Sequence, residues 1–319
     1  MKRRNFIALL GCAAAWPPAA RAQQAAMPVI GFLRVSSAAD SAHLVAAFRQ
    51  GVKEAGFVEG QNVVIEYSWA EGRNDRLPAL AVELVQRKVA VIAATSAPAA
   101  VAAKSATSTV PIPIVFIIGV DPVRTGLVAS LNRPGGNITG VTFPTVDVTA
   151  KRLGQLHELV PKAELIGVLL DPNLPEVDME VRDVEVAART IGRRVLVVKA
   201  ANTGEFNPAF ATFVQAGIGA LLVGSGSLFT SQRARLIVLS ARHAIPTSYV
   251  DREFAVAGGL MSYGPNQSDA YRRAGVYAGR MLRGEKAGDL PVEQPTKFEM
   301  VKIWELRASS ELPFPIRCN

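Results

Sequence analysis

The residues of this sequence that could do chemistry are polar side chains that directly follow predicted strands. They are Ser36, Ser37, Ser96, Asp121, Asn173, Ser225 and Tyr249. A hydroxyl or a backbone N–H group at the start of a helix can cap the helix or bind a carboxylate, and each residue alone fits the capping role. Loops after parallel strands meet at one edge of a sheet. Together, the set therefore predicts a binding surface for a small polar ligand.

Sequence signatures of catalysis and of bound cofactors are missing. The chain has no Gly-x-x-x-x-Gly-Lys phosphate loop and no Gly-x-Ser-x-Gly nucleophile turn, and Gly224-Ser225-Gly226 lacks the third glycine of a dinucleotide-binding turn. Three histidines without a Cys-x-x-Cys motif disfavour a zinc site. A carboxylate pair for acid–base work stays open, although Asp121, Asp171 and Asp251 suit ligand contact or capping better. We expect no cofactor and no metal.

The elements that must position these side chains alternate along the chain. From Val29 onward, short apolar runs alternate with longer segments of helical period, which predicts parallel sheets with helices on both faces. The rhythm breaks near Phe143 and starts again, so we predict an α/β fold of two doubly wound parallel-sheet lobes. The N-terminal lobe comprises residues 27–143 plus about 255–292, and the C-terminal lobe about 144–254 plus 293–302. A ligand would bind between the lobes and be enclosed by hinge closure.

Residues 1–22 have the features of an export signal. They combine Lys2-Arg3-Arg4, an apolar run over 6–15 and the small-x-small pattern Ala20-Arg21-Ala22. Arg3-Arg4-Asn5-Phe6-Ile7 also fits twin-arginine export, and the general secretory route stays open. Removing the four basic residues of this segment lowers the formal charge from +8 to +4.

The remaining basic residues are dispersed along the chain. Arg152, Arg189, Arg233 and Arg272 are examples, and no stripe of interleaved aromatic residues accompanies them. This pattern predicts solvated helix faces and disfavours nucleic acid as a partner. We expect a monomer.

Four segments carry a family resemblance. They are GFVEGQNVVIEYSWAEG at 56–72, DRLPALAVELV at 75–85, DPVRTGLVASLNRPGGNITGVT at 121–142 and GGLMSYG at 258–264. In these segments the chain resembles the solute-binding proteins of ABC importers, in the tryptophan/tyrosine-type substrate-binding group.

The resemblance implies a type I periplasmic-binding fold with three crossings between the lobes. It also implies capture of a small organic solute, an amino acid or related carboxylate, and its delivery to an ABC permease in the inner membrane. Carried over residue by residue, the cleft loops of the family fall on Ser36, Ser37, Ser96, Asp121, Asn173, Ser225 and Tyr263.

The last residues depart from the family. Relatives carry a segment like Asn-Leu-Lys-Thr-Ala-Arg-Ala-Leu-Gly-Leu-x-Ile-Pro, whereas 303–319 reads IWELRASSELPFPIRCN. Plausible codons for this tail, moved by one base, restore a similar segment. We therefore hypothesise that a single-base frameshift or a sequencing error replaced the native residues after about Lys302.

Two other functions stay open. An exported α/β enzyme would suit a twin-arginine signal, but the missing nucleotide, metal and nucleophile motifs disfavour it. A ligand-presenting sensor for a membrane receptor would use the same fold and the same cleft as a transport protein.

Overall fold

The computed structural model describes residues 27–143, 146–174, 177–294 and 298–303. The predicted export signal lies outside these residues, and so does the tail after Ile303. Among the described helices, none has both the length and the apolar character that crossing a membrane requires.

The first sheet has five parallel strands. They are β1 (Val29–Arg34), β2 (Val64–Trp69), β3 (Val91–Ala94), β4 (Ile114–Ile118) and β5 (Ile138–Thr142), in the order β2-β1-β3-β4-β5. Every residue of the last three strands is buried, as expected for apolar runs that helices cover on both faces. The helices between them are α1 (Ala38–Glu54), α2 (Leu77–Gln86) and α3 (Ala97–Ala106).

The second sheet has six strands in the order β11-β10-β9-β8-β6-β7. They are β6 (Leu165–Leu170), β7 (Arg194–Lys199), β8 (Ala220–Val223), β9 (Thr247–Tyr249), β10 (Met261–Pro265) and β11 (Phe298–Lys302). All pair in parallel except β11, which is antiparallel to β10. Its helices are α4 (Val146–Leu159), α5 (Val177–Thr190), α6 (Phe206–Ala216), α7 (Ser227–Ser231), α8 (Arg233–Arg242) and α9 (Arg252–Val256).

A long helix, α10 (Gln267–Leu282), returns the chain to the first lobe and packs against α1. Two glycines allow this approach. A Cβ atom at Gly51 would lie 1.8 Å from the carbonyl oxygen of Arg272, and one at Gly275 would lie 2.2 Å from that of Phe48. The two backbones are therefore too close for any other residue at either position.

The predicted second crossing is wrong in position. The predicted lobe boundaries place residues 255–265 in the N-terminal lobe, but β10 pairs with β9 and β11 in the second sheet, so the chain crosses after Pro265. The glycine-rich segment before it is a turn within the lobe, where Gly258 has a φ of 106°. Further along, Glu293 exchanges backbone hydrogen bonds of 2.9 Å with Gly140 and Thr142 on β5, so the chain leaves the first sheet after Glu293. With the passage from Phe143 to α4, the described part of the chain passes between the lobes three times.

The predicted environment of Arg152 is also wrong. The dispersed basic pattern predicts a solvated helix face, yet Arg152 is only 1% exposed. The helix α4 packs against β8, β9 and β10, and Arg152 lies on the buried side of that helix.

Candidate binding cleft between the lobes

A cleft of about 270 Å³ lies where the carboxyl ends of strands from both sheets face each other. Its polar lining from the first lobe and α10 comprises Arg34, Ser36, Asn74, Thr95, Ser96, Gln267 and Tyr271. From the second lobe come Asp171, Asn173, Ser225, Ser227, Thr230, Ser231 and Asp251. Apolar side chains between them are Val35, Ile117, Val120, Phe143, Leu174, Leu228 and Val250. The cleft thus combines polar walls with apolar surface at the size of one small organic molecule.

The positive charge of the first wall is Arg34, the last residue of β1. Its guanidinium donates hydrogen bonds to Ser41 Oγ at 2.6 Å, to Thr95 Oγ1 at 3.3 Å and to the Tyr271 hydroxyl, and it lies 5.4 Å from the centre of the Tyr271 ring. The residue is 8% exposed, and no carboxylate among the described residues lies within 4.0 Å of it. A nearly buried cation with only neutral partners favours an anionic group of a ligand.

Asp171 lies opposite, in the loop after β6. One of its carboxylate oxygens, Oδ1, accepts hydrogen bonds from the backbone N–H of Asn173 at 2.9 Å and from its side-chain amide at 3.0 Å. The other oxygen, Oδ2, accepts no hydrogen bond from any described residue. Burial raises the pKa of Asp171, and the bonds from Asn173 act against this rise. A cationic ligand group would offset the cost of the buried charge.

Asp251, two residues after β9, adds a second carboxylate to this wall. Its Oδ2 accepts a hydrogen bond from Thr230 Oγ1 at 2.8 Å, and its Oδ1 accepts one from the side-chain amide of Gln267. Since Gln267 starts α10, this bond joins the two lobes. Burial, with the neighbouring charge of Glu253, raises the pKa of Asp251 to about 6. The carboxyl is therefore ionised at neutral pH, against a desolvation cost.

Four of the eight predicted site residues line the cleft: Ser36, Ser96, Asn173 and Ser225. Ser96 also caps α3, since its hydroxyl accepts the N–H of Ala99 at 3.2 Å. The loops after strands in both lobes are therefore brought together as the sequence predicts.

The other four predicted residues do not line the cleft, and two of them stabilise local backbone instead. Ser37 caps α1 by accepting the N–H of Asp40 at 3.3 Å. Asp121 accepts the N–H groups of Val123 at 2.8 Å and Arg124 at 3.2 Å. Ser37 therefore has the helix-capping role that is its alternative, whereas Asp121 stabilises a turn that no helix follows.

The two predicted tyrosines pack within the second lobe. Tyr249 stacks on Phe254 with ring centres 4.4 Å apart and donates its hydroxyl to Ser240 Oγ at 3.1 Å, and burial raises its pKa to about 12. Tyr263 stacks on Phe298 at 6.1 Å, beneath the ammonium group of Lys151 at 4.9 Å. Neither tyrosine is among the residues that line the cleft.

Arg34, Gln267 and Tyr271 are among the polar lining residues that are not predicted from the sequence. A charged residue at the end of the buried strand VIGFLR is a signal that could have identified Arg34. Gln267 and Tyr271 are four residues apart on one helical face, but only the crossing after Pro265 brings that face to the cleft. Within the described part of the chain, no group of three or more His, Cys, Asp or Glu side chains could hold a metal ion.

The sequence model of the family described as ABC transporter substrate binding protein matches residues 33–306. The chain belongs to this family. The resemblance to ABC transporter substrate-binding proteins that the sequence segments indicate is therefore confirmed. A curated relative is the tyrosine-binding protein of Clostridioides difficile (strain R20291), 28% identical over 255 residues, which are 80% of this chain and 72% of the relative.

Solved structures show the same fold. The ABC domain from Streptococcus pneumoniae in complex with L-Trp has a TM-score of 0.76 at 22% identity, covering 90% of this chain and 96% of that chain. A conserved domain protein from Vibrio cholerae has a TM-score of 0.80 at 21% identity, covering 91% and 96%. A ligand-free, open substrate-binding protein with adhesive properties from Clostridium difficile has 0.65 at 25% identity, covering 91% and 97%. The predicted type I periplasmic-binding fold is confirmed.

Proposed function

We propose that this member of the family is the periplasmic component of an ABC importer and binds an amino acid without changing it chemically. The observation that supports this most directly is the charge arrangement of the cleft. Arg34 on the first lobe faces Asp171 and Asp251 on the second, and an amino-acid zwitterion carries the complementary charges.

In this proposal the α-carboxylate of the ligand binds the Arg34 guanidinium, with the hydroxyls of Ser36 and Ser96 beside it. The α-ammonium group binds Asp171 Oδ2 and the Asp251 carboxylate. Charge-assisted hydrogen bonds of this kind are the strong ones, and each opposing charge lowers the desolvation cost of the other. The side chain of the ligand then lies on the apolar surface of the cleft.

Tyrosine and tryptophan are the first candidates for the ligand. The names of the tyrosine-binding relative and of the L-Trp complex support an aromatic amino acid. Val120, Phe143 and Leu228 offer apolar contacts for an aromatic ring.

Hinge closure is the proposed mechanism of capture. A ligand that contacts both lobes stabilises the closed arrangement, because it makes its full set of contacts only there. The closed form then presents both lobes to the permease in the inner membrane. The export signal supports a periplasmic location, and we propose that the protein acts as a monomer.

A thermal-shift and calorimetric screen of the mature protein against the common amino acids tests this proposal. A ligand at 100 times its Kd should stabilise the fold by about 2.7 kcal/mol. Tryptamine, which lacks the carboxylate, and indole-3-propionate, which lacks the ammonium, are the matched comparisons for tryptophan. Flat responses to all amino acids, with no small molecule in mass spectra of the purified protein, would contradict the proposal.

A further inference from the structure

Three buried hydroxyl groups surround the guanidinium of Arg34. Its Nε donates a hydrogen bond to Ser41 Oγ at 2.6 Å, and its Nη1 donates to Thr95 Oγ1 at 3.3 Å and to the Tyr271 hydroxyl. The three acceptors come from α1, from the residue after β3 and from α10. None of them is more than 6% exposed. The surroundings of Arg34 are therefore assembled by the tertiary structure from separate parts of the chain.

Each of these hydroxyl groups is oriented by a backbone carbonyl. Ser41 donates its proton to the carbonyl oxygen of Ser37 at 2.7 Å. Thr95 donates to that of Leu33 at 3.3 Å, and Tyr271 donates to that of Thr95 at 3.5 Å. A hydroxyl group has a single proton, so what remains on each oxygen is its capacity to accept. The three oxygens therefore present lone pairs to the guanidinium.

These contacts leave one nitrogen of the guanidinium over. Nε and Nη1 are held, whereas Nη2 has no hydrogen-bond partner among the described residues. The Tyr271 ring restricts the group further, because the ring centre lies 5.4 Å from the guanidinium carbon of Arg34. Arg34 and Tyr271 both line the cleft. The N–H groups of Nη2 are thus the donors that Arg34 retains for a ligand.

A purely structural role does not explain how Arg34 is held. A buried arginine that only supports a fold is normally paired with a carboxylate, which compensates its charge. The acceptors around Arg34 are neutral, and no carboxylate among the described residues lies within 4.0 Å of it. Neutral acceptors fix the orientation of the guanidinium and leave its charge available to an anion.

We propose that Ser41, Thr95 and Tyr271 are positioning residues: they fix the guanidinium of Arg34 before a ligand binds and direct its Nη2 to the ligand carboxylate. A side chain that is already held loses little freedom on binding, so more of the interaction appears as affinity. The identity of the carboxylate rests on the proposed function. The orientation of Arg34 in the ligand-free protein does not, so the two can fail separately.

The orientation of Arg34 is measured in the ligand-free mature protein with ¹⁵N-labelled arginine. NMR exchange between the Nη1 and Nη2 signals reports rotation of the guanidinium, and loss of these signals in Arg34→Gln assigns them. The double variant Tyr271→Phe/Thr95→Val leaves Nη1 without a described acceptor, so we expect the rotation to accelerate about tenfold or more. Equal rotation rates in the wild type and the double variant would overturn the proposal.

Two single variants complete this measurement. Tyr271→Phe keeps the ring and its packing, and its rotation rate should rise about threefold or more, which serves as the test if the double variant does not fold. Tyr277→Phe is the matched control on the same helix. It removes a buried hydroxyl that donates to the carbonyl oxygen of Pro291 at 2.7 Å, and it should leave the rate for Arg34 unchanged. An equal acceleration in both single variants would also overturn the proposal.

Ligand selectivity provides the second readout. In Tyr271→Phe the affinities for tryptophan and for indole-3-propionate should both fall about tenfold, because both compounds carry the carboxylate. The affinity for tryptamine, which lacks it, should change much less, and Tyr277→Phe should bind all three compounds as the wild type does. A loss for tryptamine as large as that for tryptophan would show a merely structural role of Tyr271 and contradict the proposal. If no amino acid binds the wild type, the proposed function fails, and the NMR exchange rates still decide whether Arg34 is held.

Discussion

Arg233 of the second lobe forms an ion pair with Asp40 of the first, with Nη1 and Oδ1 3.2 Å apart. Arg233 begins α8, and Asp40 lies in the first turn of α1. One turn further along α1, His43 Nε2 lies 2.8 Å from Glu253 Oε1 on α9. The hydrogen bond from His43 contributes to a lowered pKa of Glu253, against the opposing effect of burial. These contacts join α1 to the second lobe, so we expect them to stabilise the closed arrangement in the proposed hinge mechanism.

Arg233→Gln should weaken the closed form. Loss of one partly exposed ion pair is worth up to about 1 kcal/mol, so we expect the dissociation rate of the ligand to rise up to about fivefold. Stopped-flow fluorescence with a bound amino acid measures this rate. Lys199→Gln removes an ion pair of 3.0 Å to Asp178 within the second lobe and is the matched control. Equal rates in both variants and the wild type would contradict a role in closure.

Arg34→Gln should reduce the affinity for amino acids about 10- to 100-fold, because it removes the charge that receives the carboxylate. Isothermal titration calorimetry with tryptophan measures the change, and the affinity for tryptamine should respond much less. Arg87→Gln, at an exposed position paired with Glu66, is the control. An Arg34→Gln protein that folds and binds tryptophan as tightly as the wild type would contradict the assigned orientation of the ligand.

Asp251→Asn should change the pH dependence of stability. The folded-state pKa of about 6 lies above the ordinary value of about 4, so the protonated carboxyl is favoured in the folded state. The stability from this preference is complete below about pH 4 and is lost as the pH rises through 6. Relative to the wild type, the variant should therefore gain up to about 3 kcal/mol between pH 4 and pH 7.5. Urea unfolding of the ligand-free proteins at both values checks it. A difference that shrinks with rising pH would have the wrong sign.

Gly275→Ala should destabilise the first lobe by about 2 kcal/mol or more, because the added methyl group would meet the backbone of α1. Gly154→Ala on α4 is the matched control. A Cβ atom there has nothing within 4 Å, so this variant should be neutral or gain up to about 1 kcal/mol from helix propensity. Thermal unfolding distinguishes the two, and equal melting temperatures would contradict the close approach.

Much of the fold could be predicted, because burial leaves a periodic pattern within each element. The apolar run LIGVLL at 165–170 predicts a strand, and β6 has the same bounds, since the run ends where the chain turns. The apolar run VAVIAA at 89–94 also predicts a strand, but the strand is shorter in the structure, where β3 starts at Val91. Val89 is buried although it lies outside β3. A buried apolar residue has the same sequence pattern inside a strand and just before it.

The boundary between the lobes was harder to predict. The glycine-rich segment around Gly258 has a composition that is typical of a linker, but Gly258 lies in a turn within the second lobe. Composition alone does not distinguish a linker from a turn. The sequence also does not distinguish the roles of the adjacent residues Ser36 and Ser37. Ser36 lines the cleft and Ser37 caps α1, because the direction of the backbone at the end of β1 determines where each side chain lies.

The amino-acid sequence by itself determined the family, the alternation of strands and helices, and the loops that supply the cleft. These depend on local patterns and on segments that resemble relatives. Only the tertiary structure decided that Arg34 faces Asp171 and Asp251, that Gln267 joins the lobes and that Arg152 is buried in the second lobe. The physical reason is that periodicity records which side of an element is buried, whereas the charges of a cleft depend on which elements face each other.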